Sequence, residues 1–256
     1  MVSDYLKHTR SIEELDFLFK RDKELAALEA SKLFHHEVSI AVSNIGEIQK
    51  IAQSRVMADS QVAAASILSN AEVKAAQILA CAQKAKLRAV MHDYEAPSAG
   101  HDVPTEIIHI KTDAAESLMQ TASLAIEEIE RTAQEAIAAL RATAQEAIKN
   151  IHELSQSVAD SVEDNARIAK QKLEQDMRDQ RTPEDVAQQA KDAAAKVLME
   201  SVSASQTLKK LTMASIEELN KITDQAALTI KKSTQTAKLR LEQMLAKALA
   251  LMDQEF

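Results

Sequence analysis

Five side chains of metal-ligating type crowd one stretch of the chain: His92, Asp93, His101, Asp102 and His109. Imidazole and carboxylate groups hold a divalent cation when three or four of them converge. Here they flank a loop at spacings that match no ligand motif, and no metal or cofactor is assigned to them. His35 and His36 are adjacent on a helix, so they point about 100° apart and do not share a ligand. The acidic pairs Glu127-Glu128, Glu163-Asp164 and Glu217-Glu218 have the spacing of solvated helix faces. Cys81 is the only thiol and reads as a small buried hydrophobe beside an apolar seam. There is no Gly-rich phosphate loop, nucleophile elbow, Cys-His pairing or zincin motif. These residues predict no catalytic group and no enzyme.

The elements that carry them are far more legible. The segment from Ala122 to Ile151 contains TAQEAI twice, at Thr132–Ile137 and Thr143–Ile148, eleven residues apart. Eleven residues make three turns at about 3.67 residues per turn, so each repeat returns the same side chains to nearly the same face. Ala122, Ala125, Ile126 and Ile129 come back as Ala133, Ala136, Ile137 and Leu140, and again as Ala144, Ala147, Ile148 and Ile151. The result is a wide apolar stripe on a helix that hardly supercoils.

Composition fits the same architecture. The chain has 256 residues, of which 46% are hydrophobic, with only 2 Gly and 3 Pro to make turns. Good helix formers dominate. Few breaks and strong formers mean few, very long helices. Net charge is -8, and residues 101–180 hold 8 Lys and Arg against 16 Asp and Glu. No basic stripe offers a footprint for phosphates, so no nucleic-acid partner is expected. No 18-residue apolar run exists to cross a membrane. One cysteine and an N-terminus without an apolar signal core predict a cytoplasmic protein.

In chain order, residues 1–42 form a helical head in which Ser11–Glu14 reads as a capping box and three of the four Phe cluster. Asn44–Glu47 is a second capping-box pattern, where Gly46 would ease a kink; a continuous helix through this point is the alternative. A first ladder helix covers 43–93, and the eleven-residue ladder is not expected to reach into the head. Residues 94–104 are the clearest loop, with Pro97, Gly100 and Pro104. A second ladder helix covers 105–181 and a third 182–256, opened by Thr182 as N-cap and Pro183 at the first position. The ladder 118, 129, 140, 151, 162, 173 extrapolates to 184, whereas Val186, Val197, Leu208 and Leu219 continue two residues later. That slip turns the stripe by about 200°, so a hairpin turn is predicted near 181–183. The expectation is all-α: an elongated antiparallel bundle of about three very long eleven-residue-repeat (hendecad) coiled-coil helices. Each would be roughly 100–125 Å long at about 1.5 Å per residue.

The predicted seam consists of Ile67, Ile78, Ile126, Ile129, Ile137, Leu140, Ile148, Ile151, Leu208, Leu219, Ile230 and Leu241. Ser201, Thr212, Thr223 and Thr234 interrupt it at eleven-residue steps with hydroxyls suited to bonding a carbonyl one turn back. An alanine-rich seam buries little area per layer, so further surface should be covered by other molecules. Phe17, Phe19 and Phe34 in the head, and Leu249, Met252 and Phe256 near the other terminus, are the candidate anchors for self-association. The function expected is a non-enzymatic, self-assembling scaffold, filament protomer or spacer, and hence a homo-oligomer. An amphipathic-helix coat on a lipid or granule surface is one alternative; an adaptor for one protein partner is another. The coat is disfavoured by the absent Trp, the small stripe residues and the acidic middle helix.

Three local resemblances bear on these classes. Residues 65–86, ASILSNAEVKAAQILACAQKAK, resemble the stalk helices of rotary ATP synthases over about two repeats, but the membrane anchor of those stalks is missing. Thr121, Thr132 and Thr143 resemble the Thr-every-eleven pattern of ice-binding helices, yet Glu and Arg interleave them where a flat ice face would not tolerate charge. The TAQEAI repeats resemble those of desiccation-protection proteins, which are more hydrophilic and lack an Ile/Leu ladder.

Overall fold

A computed structural model describes residues 15–95, 103–175 and 183–253. Apart from Leu15, Asp22, Gln175 and Pro183, every described residue is α-helical, and no strand occurs among them. The elements are a short α1 (Asp16–Arg21), then α2 (Lys23–Glu95), α3 (Val103–Glu174) and α4 (Glu184–Asp253). The three long helices have 73, 72 and 70 residues.

Local chemistry sets the described boundaries. Asp22 adopts an extended conformation between α1 and α2. Its Oδ1 accepts a 2.9 Å bond from the Leu25 amide, satisfying one of the donors that a helix start leaves unpaired. The Asp22 amide in turn donates to Leu18 O, and Lys23 Nζ donates to Phe19 O at 2.6 Å, so the last carbonyls of α1 are also met. Pro104 lies within the first turn of α3, where its missing N–H costs nothing. Pro183 immediately precedes α4, and its carbonyl accepts from the Ala187 amide. The Ser11–Glu14 capping box, Pro97, Gly100 and Thr182 lie outside the described residues.

Of the two readings of Asn44–Glu47, the continuous helix is the one found: α2 runs through it. Buried Ala41, Ile45 and Ala52 pack the helix on both sides of the glycine and carry it through. A Cβ at Gly46 would meet nothing within 4 Å, so close packing does not require a glycine there.

The helices contribute to two compact units. The first comprises Met1–Gln53 and Ala144–Lys221, the second Ser54–Thr143 and Ile222–Phe256. In the first unit Phe34, Ile45, Ile151, Val162, Leu173, Val197 and Leu208 are buried in one cluster with many alanines. A smaller cluster gathers Ala52, Ala144, Ala147 and Leu219. In the second unit the cluster holds Val56, Ile67, Ile78, Leu118, Ile129, Leu140, Ile230, Leu241 and Met252. The buried large residues of α2 recur at 34, 45, 56, 67 and 78, so Phe34 shares the eleven-residue phase of Ile45. The ladder thus continues into the 1–42 segment, contrary to the sequence expectation. A ring occupies that register position, and its identity as a ladder residue is hidden when only aliphatic side chains are counted.

Each unit has cross-links between all three helices. In the first, His35 Nε2 lies 3.1 Å from Glu200 Oε2, Asn165 Nδ2 donates to Glu37 Oε1 at 3.0 Å, and the Thr212 and Ser155 hydroxyl oxygens are hydrogen-bonded at 2.9 Å. In the second, Arg240 donates to Glu72 at 2.6 Å, Lys74 pairs with Glu128 at 3.4 Å, and Lys238 pairs with Glu130. These exposed or half-exposed pairs contribute little energy each, but they favour one axial register over its neighbours.

Two substitutions test this account. Gly46→Ala should stabilise the protein by about 0.5–1 kcal/mol, because it removes unfolded-state entropy from a helix interior without a clash; an unchanged or lower thermal midpoint would contradict it. Leu140→Ala should cost about 2–5 kcal/mol, whereas Ile137→Ala, half-buried three residues earlier, should cost clearly less. Equal losses in chemical denaturation would place the seam on the wrong face of α3.

Candidate functional surface

Among the described residues, groups of metal-ligating type do not converge: no set of three or more His, Cys, Asp and Glu could hold a metal ion. His109 is exposed. His101 and Asp102 lie outside the described residues, as do the side chains of His92 and Asp93. The paired acids at 127–128, 163–164 and 217–218 are all exposed. Cys81 is also exposed, which corrects its expected place beside the seam: it lies one residue past the outward-facing Ala80 and one before buried Ala82.

Among the described residues the buried polar side chains are Lys23 and the hydroxyls of Ser31, Ser60, Ser201, Thr212 and Thr223, with Glu37 half-buried. Ser201 and Thr212 are buried and donate to the carbonyls of Leu198 and Leu208, while half-buried Thr234 donates to Ile230 O. Thr223 is buried too. Ser60 repeats the arrangement on α2 by donating to Met57 O at 2.8 Å. Back-bonding of this kind satisfies the hydroxyl inside its own helix. Burial pushes the Glu37 carboxyl above the ordinary glutamate range. Donation from Ser161 and Asn165, and the charge of His36, oppose the shift only in part. His36 Nε2 is a buried atom without a hydrogen-bond partner. On the surface, the hydrogen bond and charge of Glu130 hold the Lys238 ammonium above its usual range.

Two open grooves lie along helix pairs. One, of about 680 Å³, belongs to the first unit and is lined by Asp164, Arg167 and Lys170 of α3 and by Leu198, Val202 and Ser205 of α4, among others. The other, of about 740 Å³, belongs to the second unit and is lined by Cys81, Ala85 and Arg88 of α2 and Ala114 and Leu118 of α3, with Lys84 and Met91 at its outer rim. Both have mixed charged rims and show no convergent polar set of the kind that fixes a small ligand.

The apolar surface is the more informative feature. Of 45 buried hydrophobic residues, 25 are alanine, leaving 20 larger ones inside. Outside, 21 large hydrophobic residues are exposed. Ile51 and Val62 are each 70% exposed and Met199 74%. Exposed large apolar side chains thus match the fully buried ones in number, which leaves the chain a surface to cover.

The candidate anchors fall differently from their expected placement. Phe19, Phe34 and Met252 are buried in their own units' cores, so they are not available to a second molecule. A ring or thioether is the largest apolar group at hand, and an alanine-rich core has the most to gain by enclosing it. Lys172 reinforces this for Phe19, its ammonium standing 5.8 Å from the ring centroid. Leu249 is half-buried. The Phe17 side chain and Phe256 lie outside the described residues. Of the seam positions, Ile67, Ile78, Ile129, Leu140, Ile151, Leu208, Leu219, Ile230 and Leu241 are buried, and Ile126, Ile137 and Ile148 are half-buried. Sequence reasoning missed the outward hydrophobics at Ile40, Ile51, Val62 and Val73, although their spacing of eleven was there to be read.

No family model matches this chain, and no curated protein matches it. Among solved structures it is similar to a computationally designed three-helix bundle, with a TM-score of 0.56 and 14% identity, covering 87% of this chain and 93% of that one. At that identity the likeness concerns the fold alone: an all-helical bundle.

The Glu37 geometry carries a prediction. The folded state holds this proton more tightly than the unfolded chain does. Its contribution to stability is therefore fully present below the ordinary glutamate range and is lost as pH rises through the raised folded value. Glu37→Gln should flatten the pH dependence of stability just above that ordinary range. Superimposable pH-stability curves for the two proteins would refute the assignment.

Proposed function

We propose that this chain is a non-enzymatic structural protein. Its long helices form an antiparallel three-helix coiled coil on an eleven-residue repeat and associate with further copies to build a scaffold or filament. One observation carries the reading: on the described helices exposed large hydrophobic side chains are as numerous as fully buried ones, 21 against 20. An alanine core contributes only about 0.8 kcal/mol per buried methyl-sized group, so covering the outer Ile, Val, Leu and Met is the largest apolar gain left to the chain. The reading assigns a cytoplasmic setting, where the exposed Cys81 thiol stays reduced.

The same exposed groups support a second reading, a coat on a lipid or granule surface. None of the described helices is long and apolar enough to cross a membrane, so such a coat would lie on the surface. Acidic residues crowd the outer side of α3, with Glu127, Glu128 and Glu135 exposed, and disfavour an anionic interface.

Multi-angle light scattering across a concentration series separates these readings. Self-association predicts a mass that rises above the 28.1 kDa of one chain, with ordered assemblies in negative stain. A strictly monomeric chain at high concentration and physiological salt, combined with flotation on phosphatidylcholine vesicles, would overturn the scaffold in favour of the coat.

A further inference from the structure

In the second unit α2 carries two stripes. The buried one passes through Val56, Ser60, Ala64, Ile67, Ala71 and Ala75, in steps of four, four and three. Two residues earlier, a second set follows the same cycle: Ser54, Ala58, Val62, Ala65, Ser69 and Val73, continuing to Ala76 and Ala80. Two residues correspond to about 200° of rotation, so this set lies on the opposite side of the helix. All of it is exposed, Val62 at 70% and Val73 at 54%. It contains no charge from Ser54 to Ala80. Beyond it the same face holds Lys84 and then Leu87 and Met91, at 62% and 54% exposure. The positions two before the buried residues of α3 in the same unit are unlike this, for they include Glu116, Glu127 and Arg131. A helix apolar on both sides has a partner on both sides.

We propose that this outer face of α2 is the self-association surface, and that its occupant is the same face of a second copy, antiparallel about a two-fold axis between residues 74 and 75. The inference rests on the self-association reading above and names its interface. Self-complementarity selects the occupant. About that axis Val73 falls opposite Ala76, Ser69 opposite Ala80, and Ala58 opposite Met91, so large groups meet small ones. Val62 meets Leu87. Lys84 falls opposite Ala65, over which its methylene stem can lie while the ammonium reaches water. Asp59 and Arg88 lie on one flank of the stripe, and the two-fold brings each within about a turn of the other's counterpart, giving two opposite-charge pairs. An in-register parallel pairing would instead set Val62, Val73 and Leu87 against themselves and each charge against its like. The strip from 58 to 91 is about 50 Å long at 1.5 Å per residue and roughly 10 Å wide, so the pair buries about 1,000 Å² in total, the lower limit of a specific interface. Association through this face is therefore weak and concentration-dependent.

The test uses the full-length chain. Val62→Glu and Val73→Glu each place a charge in the stripe at an exposed site where glutamate is a good helix former, so helicity and thermal midpoint should hold. Their self-association, read by sedimentation equilibrium, should weaken at least tenfold. In a Cys81→Ala background, Val73→Cys brings two thiols to an axial offset of about 4.5 Å and should give a disulfide dimer with diamide. The native Cys81 pair is offset by about 20 Å and should not. Wild-type association that survives both glutamates, or a Cys81 dimer forming in preference to the Val73→Cys dimer, would overturn this face or this direction while leaving the scaffold reading intact. A wild-type chain that never associates would overturn both.

Discussion

An alanine side chain ends at Cβ, and the arrangement of this protein follows from that limit. Where two helices meet through alanines, their backbones approach more closely than the usual 8–10 Å. The core of each unit is built this way, with one large residue per eleven on each helix and alanines between. Such a core is long-range in register but thin in cross-section. It has room for Ile78 or Leu208 in the seam and no room for a second rank of large side chains behind them. The remaining Ile, Val, Leu and Met must go outward, and 21 of them do.

The thin core also explains the polar groups it tolerates. A buried hydroxyl without a partner costs about 1–3 kcal/mol, a loss that a weak seam could not absorb at several layers. Thr212, Thr234, Ser201 and Ser60 avoid it by donating to a carbonyl on their own helix. Thr212 then adds a bond across to Ser155, which an apolar residue could not do. Together with the Glu37–Asn165 and Glu72–Arg240 contacts, such bonds discriminate among registers that alanine layers alone would leave nearly degenerate. Specificity in these units is carried by few polar contacts, and cohesion by many small apolar ones.

The all-helical fold was legible in the sequence because nothing in it competes with helix: 2 Gly, 3 Pro and long tracts of Ala, Glu, Lys and Gln. The spacing of eleven exposed which side chains could share a face, as with Ile129, Leu140 and Ile151. Less visible were features in which one residue type has two roles. Phe34 reads as an anchor by chemistry and as a seam residue by position, and position decides. Asp22 looks like any surface acid until its carboxylate is seen on the Leu25 amide. Cys81 adjoins the seam in sequence, yet one residue is about 100° of rotation, enough to move a small side chain from core to solvent. Gly46 left a kink and a continuous helix both open, because a single unfavourable residue does not by itself decide; packing on both sides of it holds the helix.

The same geometry explains why α2 could hold two functions while α3 holds one. A hendecad places about four positions on the inward face and leaves the opposite face free to vary. On α3 that face carries charge of both signs, at Glu116, Glu127 and Arg131, which keeps it in water. On α2 from Ser54 to Ala80 it is small and uncharged, on the same four-four-three cycle as the core. Solvation alone would not select such a cycle, because a surface position is satisfied by any hydrophilic side chain at any spacing. A second helix lying alongside would select it, since only that spacing keeps an apolar strip straight along nearly untwisted helices. The small residues serve both faces for one reason: they let a neighbouring backbone come close. Where the neighbour is α3 or α4 the contact is the fold; in the self-association proposed above, the same contact between molecules would be assembly.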